Sequence, residues 1–210
     1  MAKTNYGKIL DGKLKDISEK CEKPSLLLHA CCAPCSSHTL DFLNDYFDIL
    51  LYFCNPNISP ESEFIYRLDE LKRLVAEMDF NIPVEVEEYK PEIFYSLAKG
   101  LENLPERSER CRKCIRYRLE MSGQKAKMLG CDYFTTTLTI SPHKDSGFIN
   151  EYGAEVAEKY GVEYLFSDFK KHDGYRHSIE LSKKYNLYRQ NYCGCIYSKI
   201  NSEKDRLKNG

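Results

Sequence analysis

The sequence contains no tryptophan, no long apolar run and almost no net charge. Its longest apolar stretch runs only from Ile49 to Cys54, far short of the roughly 20 residues that cross a bilayer. The opening Met-Ala-Lys-Thr-Asn-Tyr-Gly-Lys lacks the apolar segment of a secretory signal. A cytoplasmic protein with no membrane partner is therefore expected. No internal repeat and no low-complexity segment is present, which sets aside solenoids and disordered arrays. The near-zero charge hides an asymmetry: residues 1–105 carry net −7 and residues 106–210 net +6. Any positive field belongs to the second half. A chain of 210 residues predicts one domain with a substantial core, here divided into an N-terminal arm (1–24), an α/β core (25–200) and a polar tail (201–210) that frays from Ser202.

Cysteine is what the sequence has in abundance, with ten. In a reducing compartment clustered cysteines are metal ligands or redox groups more often than disulfide staples. Their setting follows from the pattern of elements. Ser25–His29 is a short Leu-rich run of the kind buried in a parallel sheet. Further strands are expected at 47–54, 82–86, 133–140 and 162–166. Helices are expected from 36 or 37, with Ser36 or Ser37 as N-cap; from Pro60 to about Asp79, capped by Ser59; and over 92–99, 111–129, 151–160 and 174–185. Strands alternating with helices predict an α/β fold with a parallel sheet covered by helices on both faces, a three-layer architecture of nucleotide-hydrolase or PP-loop type. Ligands in such folds gather at the carboxyl ends of strands. Cys31, Cys32 and Cys35 follow the first strand, Ser141 to Lys144 the fourth and Asp168 the fifth.

Cys31-Cys32-Ala-Pro-Cys35 places three sulfurs on a loop entering a helix, where the positive helix end favours thiolates. Cys111-Arg-Lys-Cys114 is a second group, at the start of another helix. Together they supply enough thiolates for a Cys-rich metal centre, zinc or iron–sulfur. Tyr192-Cys193-Gly194-Cys195 is a third group. Two cysteines one residue apart close a strained, easily reduced disulfide, which makes them a redox pair, or else either sulfur completes the metal site. Cys131 and Cys54 read as buried structural thiols and Cys21 as incidental. Basic residues interleaved with tyrosines in the second half suit an RNA backbone and unpaired bases, as well as an ordinary amphipathic surface.

Five stretches then carry a family resemblance: His29-Ala-Cys-Cys-Ala-Pro-Cys35; Asn55-Pro-Asn-Ile-Ser-Pro60 with Glu63 and Arg67; Arg110-Cys-x-x-Cys114 with Arg118-Leu119; Thr136-Thr-Leu-Thr-Ile-Ser-Pro-His-Lys144; and Tyr188-Arg-Gln-Asn-Tyr-Cys-Gly-Cys195. In this order they resemble the cobalamin-independent epoxyqueuosine reductases, the QueH family, over residues 25 to 197. The resemblance implies the last step of queuosine biosynthesis, reduction of the epoxide of epoxyqueuosine at the tRNA wobble position. It implies a four-iron, four-sulfide cluster on Cys31, Cys32, Cys111 and Cys114, and a redox-active disulfide between Cys193 and Cys195. Cys35 has no fixed duty in that pattern; a second metal such as a mononuclear iron is open to it, with Asp168 as an acidic partner. Arg110, Arg116, His143, Lys144, Arg189 and Tyr192 are the candidate contacts to substrate and tRNA. His29, His143, Lys144 and Tyr192 are candidate proton donors, and an external electron donor is required.

The family is held to share ancestry with ATP-using α/β proteins whose phosphate loop follows the first strand. Here that place holds Ala-Cys-Cys-Ala-Pro-Cys, without a glycine to let backbone amides approach a phosphate. Neither ATP nor cobalamin is expected. The rival readings are a zinc-stabilised RNA-binding protein without catalysis and an iron–sulfur enzyme of tRNA thiolation.

Overall fold

The computed structural model describes residues 4–209; residues 1–3 of the expected arm and residue 210 of the expected tail lie outside the described residues. Five strands, β1 (Ser25–His29), β2 (Asp48–Phe53), β3 (Val84–Val86), β4 (Tyr133–Thr136) and β5 (Glu163–Tyr164), form one sheet in the order β3-β2-β1-β4-β5. Every pairing is parallel, with Leu27 opposite Leu50 on one side and Phe134 on the other. Alternation along the strands splits the core in two. Leu26, Leu28, Ile49, Leu51 and Phe53 pack on one face with α1 (Tyr6–Lys20), α2 (Ala33–Leu43) and α3 (Glu61–Met78). Leu27, Tyr52 and Phe134 pack on the other with α5 (Glu109–Leu129) and α6 (Ser146–Tyr160). The expected helix cover on both faces is present. Leu26, Leu27 and Leu28 are fully buried, each contributing about 1.5–3 kcal/mol of apolar transfer.

The remaining helices are α4 (Pro91–Ala98), α7 (Gly174–Lys184) and α8 (Ile196–Asn209). Several element boundaries differ from the sequence expectation for identifiable reasons. The N-terminal arm is a helix of the core: Asn5 accepts from Lys8 N at its start, and Leu10, Leu14 and Ile17 share its buried face. The polar tail is helical as α8. Neither Ser36 nor Ser37 caps α2. The N-cap is Cys32, and both hydroxyls lie inside the helix, donating to Cys32 O and Pro34 O. Pro60, not Ser59, holds the N-cap position of α3; the Ser59 hydroxyl meets Tyr95 Oη at 3.4 Å and Ser59 N donates to Gly194 O at 3.0 Å. β3 starts only after Pro83, which has no N–H to give the ladder. The threonine-rich strand expected to reach Ile140 stops at Thr136, whose Oγ1 accepts from Leu138 N and turns the chain into a short 3₁₀ helix over Thr137–Ile140.

β1 lies at the centre of the sheet. The chain winds outward through β2 and β3, then crosses to β4 and β5 on the other side. The loops after β1, β2 and β4 therefore meet at the crevice where α/β folds bind ligands.

Candidate metal and redox site

The loop after β1 brings three thiols together. Cys31, Cys32 and Cys35 have sulfurs within 4.8 Å of one another, and those of Cys31 and Cys32 are 3.7 Å apart. Local structure explains the convergence: Cys32 is the N-cap of α2, and Cys35 lies in its first turn, aimed back at the cap. Cys35, which the family pattern leaves without a fixed duty, thus belongs to the tightest thiol group among the described residues. Hydrogen bonds from the Cys32 and Cys35 thiols hold Cys31 well below the usual thiol range, with the Arg118 guanidinium adding to the effect. Thr137 also donates from Oγ1 to Cys31 Sγ at 3.4 Å.

Cys111 and Cys114 stand in the first two turns of α5 and are not members of that three-thiol group. Burial pushes the Cys114 thiol up to about 11, opposed by Arg118. The charge of Arg118 acts on both Cys31 and Cys114. It is buried, donating from Nη2 to Asn55 Oδ1 at 2.6 Å and from Nε to His29 Nε2 at 3.3 Å. Asn55 Nδ2 in turn donates to Ala30 O at 2.9 Å, which ties the loops after β1 and β2 together. A second buried guanidinium, Arg67, is held by Glu63 at 2.7 Å and feels the charge of Cys32. Two desolvated cations against a knot of thiols are poorly matched to neutral sulfur and well matched to thiolate–metal anions. The donor set therefore fits a thiolate-bound metal centre.

The third cysteine group faces the same crevice. Lys144, from the segment after β4, places Nζ 3.1 Å from Cys193 Sγ. Cys193 N donates to Ser198 Oγ at 3.0 Å, and that hydroxyl donates to Glu106. Cys195 precedes the first residue of α8, its sulfur accepting from Ser198 N at 3.4 Å. It is 6% exposed, and burial pushes its thiol up to about 12. The two thiols are thus unlike: Cys193 lines the cavity beside a lysine, and Cys195 lies behind it. The disulfide expected between Cys193 and Cys195 is not formed in this structure. Gly194 has φ 110°, and a Cβ there would come within 2.9 Å of Arg67 Nη1, so only glycine lets the turn lie against that guanidinium. Cys31, Cys32, Cys35 and Cys193 all line one cavity of about 1030 Å³.

Residues 26–201 match the family described as epoxyqueuosine reductase QueH. A relative from Streptococcus pyogenes serotype M1 bearing that name is 43% identical over 93% of this chain and 78% of its own. Relatives of the same name from Haemophilus influenzae and Thermotoga maritima are 40% and 38% identical, over 92% and 83% of this chain and 81% and 90% of theirs. This chain belongs to the QueH family. The name suits the crevice, since a reductase needs an electron-transferring group open to its substrate.

Among the other sequence candidates, His143, Lys144, Arg189 and Tyr192 line the cavity. Arg110 is turned into the fold: it is 1% exposed, donates to Glu102 O and Leu104 O at 2.7 Å each, and packs on the Tyr197 ring. Its place in a basic cluster made it look solvent-facing. Arg116 is exposed on the outer surface of α5, over the rings of Phe148 and Tyr152. Asp168 pairs with Lys170 at 2.8 Å and lines a separate small cavity with His38 and Phe42; it is not a member of the thiol group. His29 is fully buried and pushed down to about 3 by burial and by Arg118, so its imidazole is neutral at physiological pH. Arg67, Arg118, Glu106 and Ser198 are the residues that sequence reasoning left without a duty. The Glu63–Arg67 spacing of one helical turn was the available signal for the first.

Proposed function

We propose that this protein reduces the epoxide of epoxyqueuosine at the tRNA wobble position to the alkene of queuosine, and that the cavity between the 31–35 loop and the Cys193–Cys195 turn is where it does so. The observation that carries this reading is the opening of the three-thiol group and the lysine-paired Cys193 onto one cavity. Cys31, Cys32, Cys111 and Cys114 would hold a four-iron cluster, with Cys35 beside it for a further iron. Bound there, such iron supplies one-electron transfer and a Lewis acid for an oxygen atom.

The side chains supply the rest. Cys193 and Cys195 give up two electrons and two protons as their S–S bond forms. Both C–O bonds of the epoxide break, the C=C bond forms and the oxygen leaves as water. Lys144 keeps a proton at Nζ beside Cys193, and Arg67 and Arg118 offset the negative charge of the thiolates. An external donor of two electrons and two protons reopens the S–S bond; neither ATP nor cobalamin enters the scheme.

The tRNA rests on the α5–α6 surface, where the exposed Arg112 and Arg116 lie over Phe148 at 4.9 and 5.4 Å. Arginine planes and aromatic rings at one place suit phosphates and splayed bases. The deciding experiment is anaerobic preparation, quantification of iron and sulfide, and assay on tRNA carrying epoxyqueuosine. Iron, sulfide and formation of queuosine are expected. Zinc without iron or sulfide, and no turnover, would establish the RNA-binding alternative instead.

A further inference from the structure

Three buried polar atoms around the cavity have no hydrogen-bond partner: Asn57 Oδ1, Gln190 Oε1 and Arg67 Nη2. Asn57 and Arg67 are each 2% exposed. Folded proteins leave few such atoms unpaired, because each forfeits its hydration for nothing. Three on the walls of one cavity point to a ligand that completes them.

The local structure ties together the segments that carry them. Asn57 sits in the bend after β2, which is fixed to the Cys193–Cys195 turn by the bond from Ser59 N to Gly194 O at 3.0 Å. Arg67 is clamped by Glu63 through Nε and reaches Cys193 O at 3.4 Å through Nη1, which leaves Nη2 over. Gln190 belongs to the segment leading into the same turn, and the Tyr192 ring lies 5.1 Å from the Arg67 guanidinium. The set therefore consists of two acceptors and one donor, beside an aromatic ring.

We propose that Asn57, Gln190 and Arg67 form a subsite that reads the pairing edge of a 7-deazaguanine base, so that this enzyme selects its substrate by the base as well as by the epoxide. The inference rests on the reductase reading above and deepens it. A guanine-type edge presents two neighbouring donors, the ring N–H and the exocyclic amine, and one acceptor, the carbonyl oxygen. Two acceptors and one donor are the complement of that edge. An adenine-type edge presents one donor and one acceptor there, and leaves an acceptor of the site facing a lone pair. The epoxide-bearing substituent hangs from the opposite side of the base, so gripping this edge leaves it free to meet the thiols. Sites that hydrogen-bond a substrate group discriminate strongly against analogues that lack it, because their own buried atoms are then left unpaired.

Equilibrium binding tests the proposal without relying on turnover. The anaerobically prepared protein is titrated with two synthetic anticodon stem-loops, one carrying 7-deazaguanosine at the wobble position and the other 7-deazaadenosine. The first binds at least about tenfold more tightly, in keeping with discrimination by paired polar groups. Gln190→Leu removes that preference by weakening the first stem-loop alone, whereas Gln190→Glu, which keeps an acceptor, retains it. Equal affinity for the two stem-loops in the unsubstituted protein overturns the proposal, as does a Gln190→Leu protein that still prefers deazaguanosine. Failure to reduce epoxyqueuosine tRNA with the base preference intact would count against the reductase reading and leave the base-reading subsite standing.

Discussion

Lys144 Nζ lies 3.1 Å from Cys193 Sγ, a lysine from the segment after β4 set against a thiol that follows it by 49 residues. The charge of Cys193 holds the lysine well above its usual range, against the opposing effect of burial. The ammonium is therefore present throughout the physiological range. Its stabilising contact with sulfur persists below the ordinary lysine value of 10.5 and is lost only as pH rises through the raised one. Lys144→Gln is expected to lower kcat by about 100-fold or more, the size of effect typical of a lost proton-holding group. Lys144→Arg, which keeps the charge, restores part of the loss. Steady-state assays at pH 7 and 9, with iron content measured alongside, check both.

Cys193→Ser and Cys195→Ser each abolish turnover and leave the iron and sulfide content intact, because neither sulfur belongs to the 31–35 group or to the 111–114 pair. Metal and sulfide analysis together with an assay on epoxyqueuosine tRNA reads the result. Retained turnover in either variant would remove the dithiol from the reaction.

Arg118→Ala strips partners from Asn55 Oδ1 and His29 Nε2 at once and leaves both buried. Leaving a buried neutral polar group without its hydrogen bond costs about 1–3 kcal/mol. Chemical denaturation should show a loss of that order, and the thiol centre should load less metal as the β1 and β2 loops come apart.

His38 is buried at the contact of α2 with α7, its Nδ1 3.0 Å from His177 Nδ1. Burial, followed by the charge of His177, pushes it down to about 4. The unfolded chain takes up this proton from about pH 6.5 downward and the folded protein only near pH 4, so stability present at neutral pH drains away across that window. The loss amounts to at most about 3 kcal/mol. Thermal unfolding between pH 7 and 4 should slope downward, and His38→Asn should flatten the slope.

Two arginines of α5 separate the proposed RNA face from the core. Arg116→Ala weakens tRNA binding and lowers the salt slope by about one, as expected on losing one phosphate contact. Arg110→Ala, two turns earlier on α5, lowers the melting temperature and leaves the salt slope unchanged.

Signals carried by neighbouring residues were legible in the sequence. The Ser25–His29 run gave β1 to the residue, and the spacing of Cys31, Cys32 and Cys35 announced a thiol cluster at a helix start. Side chains whose fate depends on burial were not. Arg110, Arg116 and Arg118 lie within nine residues of one another on α5; one braces loop carbonyls, one faces solvent and one holds Asn55 and His29 beneath the thiol loops. Composition treats the three alike, and only the face each occupies separates them. The Lys144–Cys193 contact was hidden for another reason, since it depends on where Thr136 ends its strand.

The central position of β1 has a consequence for how this enzyme can diversify. β1 pairs directly with β4, so the sheet itself sets the distance between the loops that wall the crevice. The stretch from 100 to 108 carries no strand, but Pro105 and Glu106 line the cavity and Glu106 accepts from the Ser198 hydroxyl beside Cys193. A change of length there would reshape the lining while leaving the spacing of the two halves to the sheet.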